Sequence, residues 1–132
     1  MKKERIENMS KQQISTVKAP EAIGPYSQGI ISGDLIFTSG QIPYTPEGQI
    51  SEDIAEQTRQ SLENVKAVLE AAGSSLEKVV KCTVFITDMK QFSIINQVYA
   101  QYFTEPFPAR SCIQAAYLPK GVGVEIEVIA VK

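Results

Sequence analysis

The chain has 132 residues, of which 43% are hydrophobic and 21% charged, and its formal net charge is −2. This length suits one domain with one core, and no apolar run approaches the roughly 18 residues that a membrane span needs. The basic residues are scattered rather than gathered in a stripe, which argues against a nucleic-acid partner. We therefore expect a soluble protein that binds neither membrane nor nucleic acid.

Histidine is absent, and the only cysteines are Cys82 and Cys112. Without histidine the chain has no Ser-His or Cys-His nucleophile pair, and two cysteines without a second pair cannot build a zinc site. A disulfide between them is disfavoured in a cytosolic chain. We expect neither a metal nor a cofactor, so that any chemistry rests on Arg, Glu, Tyr, Ser, backbone groups and water.

The N-terminus is charged and lacks the apolar stretch of a secretory signal, so we predict a cytoplasmic protein. Met9 opens a second plausible start, and residues 1–8 look like a variable, disordered extension. We divide the chain into an N-terminal extension, 1–13, which we expect to be disordered, and a single domain, 14–132.

A short strand and a loop open the domain. Residues 14–18 favour a strand that ends before Pro20. The stretch 24–29 contains two glycines and a proline, which is typical of a loop that presents one side chain, here Tyr26. Taken alone, these residues favour a Tyr26 that only packs on the surface.

Two further strand patterns are clearer. Residues 29–32 and 35–39 are β-rich and flank Gly33-Asp34, a two-residue hairpin signal. Residues 79–87 alternate so that at least one face is fully apolar, and Cys82 belongs to that face. Cys82 is therefore most simply a small core residue.

Two helices are predicted from apolar residues at spacings of three and four. The first covers residues 53–72, with Gly73 as its C-terminal stop. The second begins with Asp88 as N-cap and runs to about Thr104.

Arg110 stands apart from the other two arginines, one in the N-terminal tail and one in the first helix. Arg59 has Glu63 one turn away as an i,i+4 partner, so it is a solvated helix charge and a poor site candidate. Pro106 and Pro108 forbid further helix, and Arg110 then begins a strand with an apolar pattern. A guanidinium on such a half-buried surface needs an anionic partner.

The last strand, residues 122–131, places Glu125 and Glu127 together on the face opposite its apolar residues. Either glutamate could be the structural ion-pair partner of Arg110. From position alone, that pairing and a ligand-binding role for Arg110 are equally open.

The elements predict one sheet with both helices on one face. Right-handed crossover makes the 79–87 strand and the Arg110 strand parallel neighbours.

Three stretches, in this order, carry a family resemblance: 24–29 (GPYSQG), 37–43 (FTSGQIP), and 108–113 (PARSCI) followed by Val124-Glu125-Ile126. From about Ala19 to Lys132 the chain resembles the RidA/YjgF family of reactive-intermediate deaminases. The resemblance implies a chorismate mutase-like α+β fold, a mixed sheet with two helices on one face. It also implies a homotrimer with a central barrel and with active sites between subunits.

The resemblance further implies hydrolysis of 2-imino and 2-enamino acids, such as 2-aminoacrylate, 2-iminopropanoate and 2-iminobutanoate. The products are 2-keto acids and ammonium, and the reaction protects against reactive enamine metabolites. By residue match, Arg110 grips the substrate carboxylate, Glu125 positions the water, and Glu127 is the structural competitor for that second role. The remaining site residues implied by the match are Tyr26, Ser39, Gly40, Asn96 and Cys112, the last through its backbone carbonyl.

Three alternatives stay open beside this hypothesis. A non-catalytic regulator could bind a 2-keto acid in the Arg110 pocket without needing the carboxylate of Glu125. Chorismate mutase shares the implied fold, but its dicarboxylate substrate calls for several cations. Nucleic-acid cleavage or translation inhibition is disfavoured by the charge balance and the missing histidine.

Overall fold

A computed structural model describes residues 10–132. Residues 12–132 form six β-strands and two α-helices. The strands are β1 (Gln12–Ile14), β2 (Gly29–Ser32), β3 (Leu35–Thr38), β4 (Val79–Ile86), β5 (Ala109–Gln114) and β6 (Val124–Val131). The helices are α1 (Ile54–Ala71) and α2 (Phe92–Ala100), and short 3₁₀ turns cover Leu76–Lys78, Met89–Gln91 and Pro119–Gly121. Residues 1–9 of the predicted disordered extension lie outside the described residues, but the prediction is wrong for Gln12 and Gln13, which pair with β2 as part of β1.

The strands form one mixed sheet in the order β1-β2-β3-β6-β4-β5. β4 and β5 pair in parallel, as the crossover rule predicts, and the other neighbours are antiparallel. The predicted hairpin is also confirmed, since β2 and β3 pair across the two-residue turn at Gly33-Asp34. β5 is therefore an edge strand, and β6 lies in the middle of the sheet.

One core fills the space between the sheet and the helices, which confirms the prediction of two helices on one face. β6 buries every second side chain, and Cys82 of β4 is fully buried, as predicted. α1 contributes its apolar stripe, which includes Leu62, Val65 and Leu69. On the opposite face of the sheet, Leu35, Phe37 and Ile113 remain 39%, 38% and 47% exposed. Within residues 10–132, no helix is both long enough and apolar enough to cross a membrane.

The first strand differs from its prediction, because it covers Gln12–Ile14 rather than residues 14–18. The reason is the buried side-chain amide of Gln28. Its Oε1 accepts from the Thr16 amide at 2.7 Å, and its Nε2 donates to the carbonyl oxygens of Thr16 and Pro20 at 3.0 and 2.8 Å. These side-chain bonds draw the backbone after Ile14 out of the strand ladder.

The second helix is shorter than predicted, ending at Ala100 instead of about Thr104. Asp88 caps the 3₁₀ turn that precedes it, with Oδ1 accepting from the Lys90 amide at 3.0 Å. After Ala100 the amides of Gln101 and Tyr102 bond back over three residues, to Val98 and Tyr99, which closes the helix.

The predicted Arg59–Glu63 pair is wrong. Arg59 Nε lies 3.5 Å from Glu56 Oε1, one residue closer along the helix than the i,i+4 spacing. Glu63 instead accepts from the Tyr102 hydroxyl at 2.8 Å, which ties α1 to the end of α2.

Candidate active site

Arg110 lies on the edge strand β5, opposite Cys82 of β4. The strand is largely exposed, not half-buried as its apolar pattern suggested, because an edge strand has a neighbour on one side only. The Arg110 side chain reaches the helix face of the sheet. Its Nη1 donates to Asn96 Oδ1 at 2.7 Å, and its Cζ lies 4.7 Å from the ring centre of Tyr99 and 5.5 Å from that of Phe92.

The three partners of Arg110 all come from α2. Phe92, Asn96 and Tyr99 are spaced by four and then three residues, so they share one side of the helix. Asn96 is neutral and offers an acceptor without a charge. In the part of the chain that the structure describes, the one carboxylate–cation bridge is Arg59–Glu56, so no carboxylate neutralises Arg110.

Glu125 lies on the opposite face of the sheet from Arg110. It pairs with Phe85 of β4, whereas Arg110 pairs with Cys82, whose side chain points into the core. The two positions are three residues apart along β4, about 10 Å at strand spacing. The structural alternative, an Arg110–Glu125 or Arg110–Glu127 ion pair within one chain, is therefore wrong, because both glutamates face away from the helices.

Glu125 packs against Gly40. The backbone of Gln41 exchanges two hydrogen bonds with Ile126, at 2.8 and 3.2 Å, and this bridge sets Gly40 beside Glu125. A Cβ on Gly40 would fall 2.8 Å from Glu125 Cδ, so glycine at this position leaves room for the carboxylate where it now lies. Burial, and secondarily the charge of Glu127, raise the pKa of Glu125 above its ordinary value.

Ser39 is held by two buried glutamines, through the backbone carbonyl of Gln28 and the side-chain amide of Gln41. Its amide and hydroxyl both donate to the Gln28 carbonyl, at 2.9 and 3.1 Å, and Gln41 Nε2 donates to its Oγ at 3.0 Å. Gln28 and Gln41 are 4% and 5% exposed. This network connects the loop that carries Tyr26 to the end of β3.

Tyr26 and Gly40 line one open cavity of about 280 Å³. Tyr26 is half exposed, and its hydroxyl accepts weakly from the Ile23 amide at 3.4 Å. Lys120 also lines the cavity. Its backbone is left-handed with φ of 59°, and its Nζ lies 4.9 Å from the ring centre of Tyr44. The cavity lining thus combines two tyrosine rings with the charged side chains of Glu21 and Lys120.

Both cysteines are free thiols. Burial raises the pKa of Cys82 to about 11 and raises that of the half-buried Cys112 as well. Neither is therefore poised as a thiolate nucleophile. Across residues 10–132, no group of three His, Cys, Asp or Glu side chains is arranged to hold a metal ion.

The predicted site residues thus form two groups within one chain. Arg110, Asn96 and Cys112 lie around β5 and α2, and Tyr26, Ser39, Gly40 and Glu125 lie around the Gly40–Glu125 contact. Sequence reasoning missed the roles of Phe92, Tyr99, Gln28 and Gln41. The helical spacing of Phe92 and Tyr99 around Asn96 was a usable signal for both aromatic residues. A buried glutamine, in contrast, has no distinctive sequence pattern.

Comparison with known proteins places these features in a family. The family model described as Endoribonuclease L-PSP matches residues 16–132. The 2-iminobutanoate/2-iminopropanoate deaminase of Salmonella typhimurium is 53% identical over 123 residues, which are 90% of this chain and 96% of that protein. TdcF of Escherichia coli K12 is 54% identical over 126 residues, 92% of this chain and 98% of TdcF.

Solved structures agree with the sequence matches. The crystal structure of E. coli TdcF with bound serine has a TM-score of 0.88 at 52% identity, covering 92% of this chain and 98% of that one. The structure of RidA from an Antarctic Psychrobacter species has a TM-score of 0.89 at 45% identity, covering 92% and 99%. The fold, the three motifs and the extent of these matches together show that the chain belongs to the Endoribonuclease L-PSP family, which is the RidA/YjgF family.

Proposed function

We propose that this chain hydrolyses the C=N bond of small 2-imino acids, with 2-iminopropanoate and 2-iminobutanoate as its substrate class. The observation that carries the proposal is the state of Arg110, an exposed guanidinium held by neutral partners, with its positive charge left for a ligand. A planar carboxylate beside a C=N bond fits such a fork in one orientation. The name of the Salmonella relative supports the same substrate class.

Glu125 is proposed to handle the proton of the attacking water. Water adds to the imine carbon while the carboxylate accepts one proton, and the resulting carbinolamine expels ammonia as that proton is returned. The hydroxyl proton of the carbinolamine leaves with the ammonia, so that one protonated imino acid and one water give one 2-keto acid and one ammonium. A partly buried glutamate with a raised pKa suits both the acceptance and the return of a proton.

The remaining predicted residues complete the pocket in this proposal. Tyr26 covers the bound substrate, and Ser39 and the Gly40 amide border it. The Cys112 backbone carbonyl accepts a hydrogen bond from the substrate nitrogen. Asn96 was predicted to line the pocket, and its bond to Arg110 suggests that it does so by steadying the guanidinium.

The proposal requires more than one copy of the chain at each site. Arg110 and Glu125 lie on opposite faces of one sheet, so a single copy cannot present both to one small molecule. A homotrimer with a central barrel, as the family resemblance implies, would bring Arg110 and Cys112 of one subunit to Tyr26, Ser39 and Glu125 of the next. The half-exposed apolar side chains of the outer sheet face are the surface available for that contact.

Ribonuclease activity is not proposed, although the family description contains the word endoribonuclease. The net charge of −2 and the scattered basic residues do not suit a polyanion. The cytoplasmic location stays a prediction.

The direct test supplies freshly generated 2-aminoacrylate and measures ammonium and 2-keto acid release against the uncatalysed rate. The parent should accelerate release, and Arg110→Ala should not. A parent that binds 2-ketobutanoate yet gives the uncatalysed rate would favour the regulatory alternative. A parent that does neither would refute both.

A further inference from the structure

Arg110 rests on an aromatic surface that the proposed reaction does not itself explain. We propose that Tyr99, assisted by Phe92, is a positioning residue: the ring faces hold the Arg110 guanidinium in the plane from which it receives the substrate carboxylate. We call these two side chains the aromatic cradle. This inference rests on the proposed function of Arg110 and adds the residues that aim it.

The geometry distinguishes the cradle from ordinary core packing. The guanidinium carbon lies 4.7 Å from the Tyr99 ring centre, well inside the roughly 6 Å range of a cation–π contact. Phe92 is a second, weaker contact at 5.5 Å. The two rings limit where the guanidinium carbon can move, and the Asn96 bond to Nη1 limits the rotation of the guanidinium.

The arrangement leaves the useful donors free. A guanidinium has five N–H donors in one plane. In the part of the chain that the structure describes, one donor is used by Asn96, and ring faces consume none. The guanidinium therefore keeps a pair of parallel N–H groups for a carboxylate while its orientation is already restrained, which lowers the entropy cost of binding.

Tyr99 is well built for this task. It is 6% exposed and is itself wedged by Phe103, whose ring centre lies 4.6 Å away at an angle of 33°. Its hydroxyl has the Cys82 thiol, a weak hydrogen-bonding group, as its polar neighbour. The ring, rather than the hydroxyl, is the part that contacts Arg110, because Arg110 Cζ lies over the ring.

The test compares Tyr99→Leu with Phe103→Leu, a matched control that opens a similar buried aromatic site, although the Phe103 ring is not one of the two that lie over Arg110. Affinity for 2-ketobutanoate is measured by calorimetry, and stability by thermal melting. Tyr99→Leu should weaken binding about fivefold or more, the loss expected of a cation–π contact. Phe103→Leu should lower the melting temperature comparably while its affinity stays within about twofold of the parent.

Two further variants keep the test decisive if Tyr99→Leu does not fold. Tyr99→Phe restores the ring without the hydroxyl and should rescue affinity. Phe92→Leu, at a less buried position, should weaken binding by a smaller factor than Tyr99→Leu. Unchanged affinity in both Tyr99→Leu and Phe92→Leu would overturn the proposal. A loss of affinity in Phe103→Leu equal to that in Tyr99→Leu would do the same.

A ligand-free measurement separates this inference from the proposed function. The chain has three arginines, so the Nε–H region of a ¹⁵N spectrum holds three side-chain signals. In the parent, the Arg110 signal should be displaced by the ring currents of the cradle, and Tyr99→Leu should move it toward the Arg5 and Arg59 signals. A parent that shows this displacement but no turnover would leave the cradle intact and refute the deaminase proposal. A signal that does not move in Tyr99→Leu would refute the cradle whatever the turnover.

Discussion

Glu125 and Glu127 stand on one face of β6, yet only Glu125 lies against Gly40 and the proposed water site. Glu125→Gln keeps the size and hydrogen-bonding capacity of the side chain but removes its basicity. Turnover should fall about 10²- to 10⁴-fold, the usual worth of a general base, with little change in 2-ketobutanoate affinity. Glu127→Gln is the matched control and should do much less. Reversed effects in steady-state kinetics would mean that the wrong glutamate has been assigned to the site.

The raised pKa of Glu125 predicts a pH dependence of both activity and stability. Burial, then Glu127, disfavour its charged form, so the folded state holds this proton more tightly than the unfolded chain does. The corresponding stability is present at low pH and lost as pH rises through the folded-state pKa. Glu125→Gln should therefore melt above the parent at pH 7, with the difference narrowing in acid. As the pH is lowered, parental turnover should begin to fall while the pH is still above 4.5, the ordinary glutamate value, because the base becomes protonated early. A difference in melting temperature between Glu125→Gln and the parent that stays the same at all pH values would contradict this assignment.

Arg110→Lys tests whether geometry or charge alone matters at position 110. Lysine keeps the positive charge but lacks the planar fork that can bind a carboxylate through two N–H groups. We expect loss of most turnover with a melting temperature near that of the parent, because no carboxylate in the described chain depends on Arg110. Arg59→Lys serves as the control, since its partner Glu56 is exposed. Near-parental turnover in a stable Arg110→Lys protein would remove the substrate-gripping role.

Gly40→Ala tests the contact that orients Glu125. The added methyl group would lie 2.8 Å from Glu125 Cδ, so the carboxylate must move. The stability loss should be small, below about 1 kcal/mol, because every atom that the methyl group would meet belongs to the flexible Glu125 side chain. Turnover of the folded protein should fall clearly while its melting temperature changes little, because the displaced group is the proposed base. Gly33→Asn, in an open hairpin turn where asparagine tolerates the positive φ, should leave turnover unchanged.

At the scale of elements, one buried side chain organises the whole segment between β1 and β2. Gln28 bonds to Thr16, Ala19 and Pro20 and, through its carbonyl, to Ser39. Gln28→Leu fills the same space but leaves these backbone groups unpaired, so we expect a loss of about 2–4 kcal/mol. Amide exchange at Thr16 should quicken, because its acceptor is Gln28 Oε1. The exposed Gln12 provides the control as Gln12→Leu, and equal losses in the two variants would contradict the role of Gln28.

At the scale of the whole molecule, the two faces of the sheet make a complementation test possible. Light scattering should give three times the chain mass of 14.5 kDa. Arg110→Ala and Glu125→Gln homotrimers should each be inactive. After co-refolding in equal amounts, about a quarter of the sites should combine an intact Arg110 with an intact Glu125 from the neighbour. A monomer mass, or mixtures no more active than their parts, would contradict the shared site.

Much of the fold was readable from local patterns. The spacing of α1, the Gly33-Asp34 hairpin and the alternation of β6 each report a local backbone preference together with a buried face, and each is confirmed. The parallel β4–β5 pairing followed from crossover handedness, which is general to folded chains. The motif residues of the proposed site followed from family resemblance rather than from physical inference.

Contacts between residues far apart in the chain were decided by the tertiary structure. The bonds of Gln28 moved β1, and the turn after Ala100 shortened α2, because long-range hydrogen bonding overrides local propensity. The sequence by itself determined that a strand starts next to Arg110 and that Glu125 and Glu127 share a face. Only the tertiary structure decided that Arg110 faces α2 while the glutamates face the other way, since the face of an edge strand depends on its register with β4.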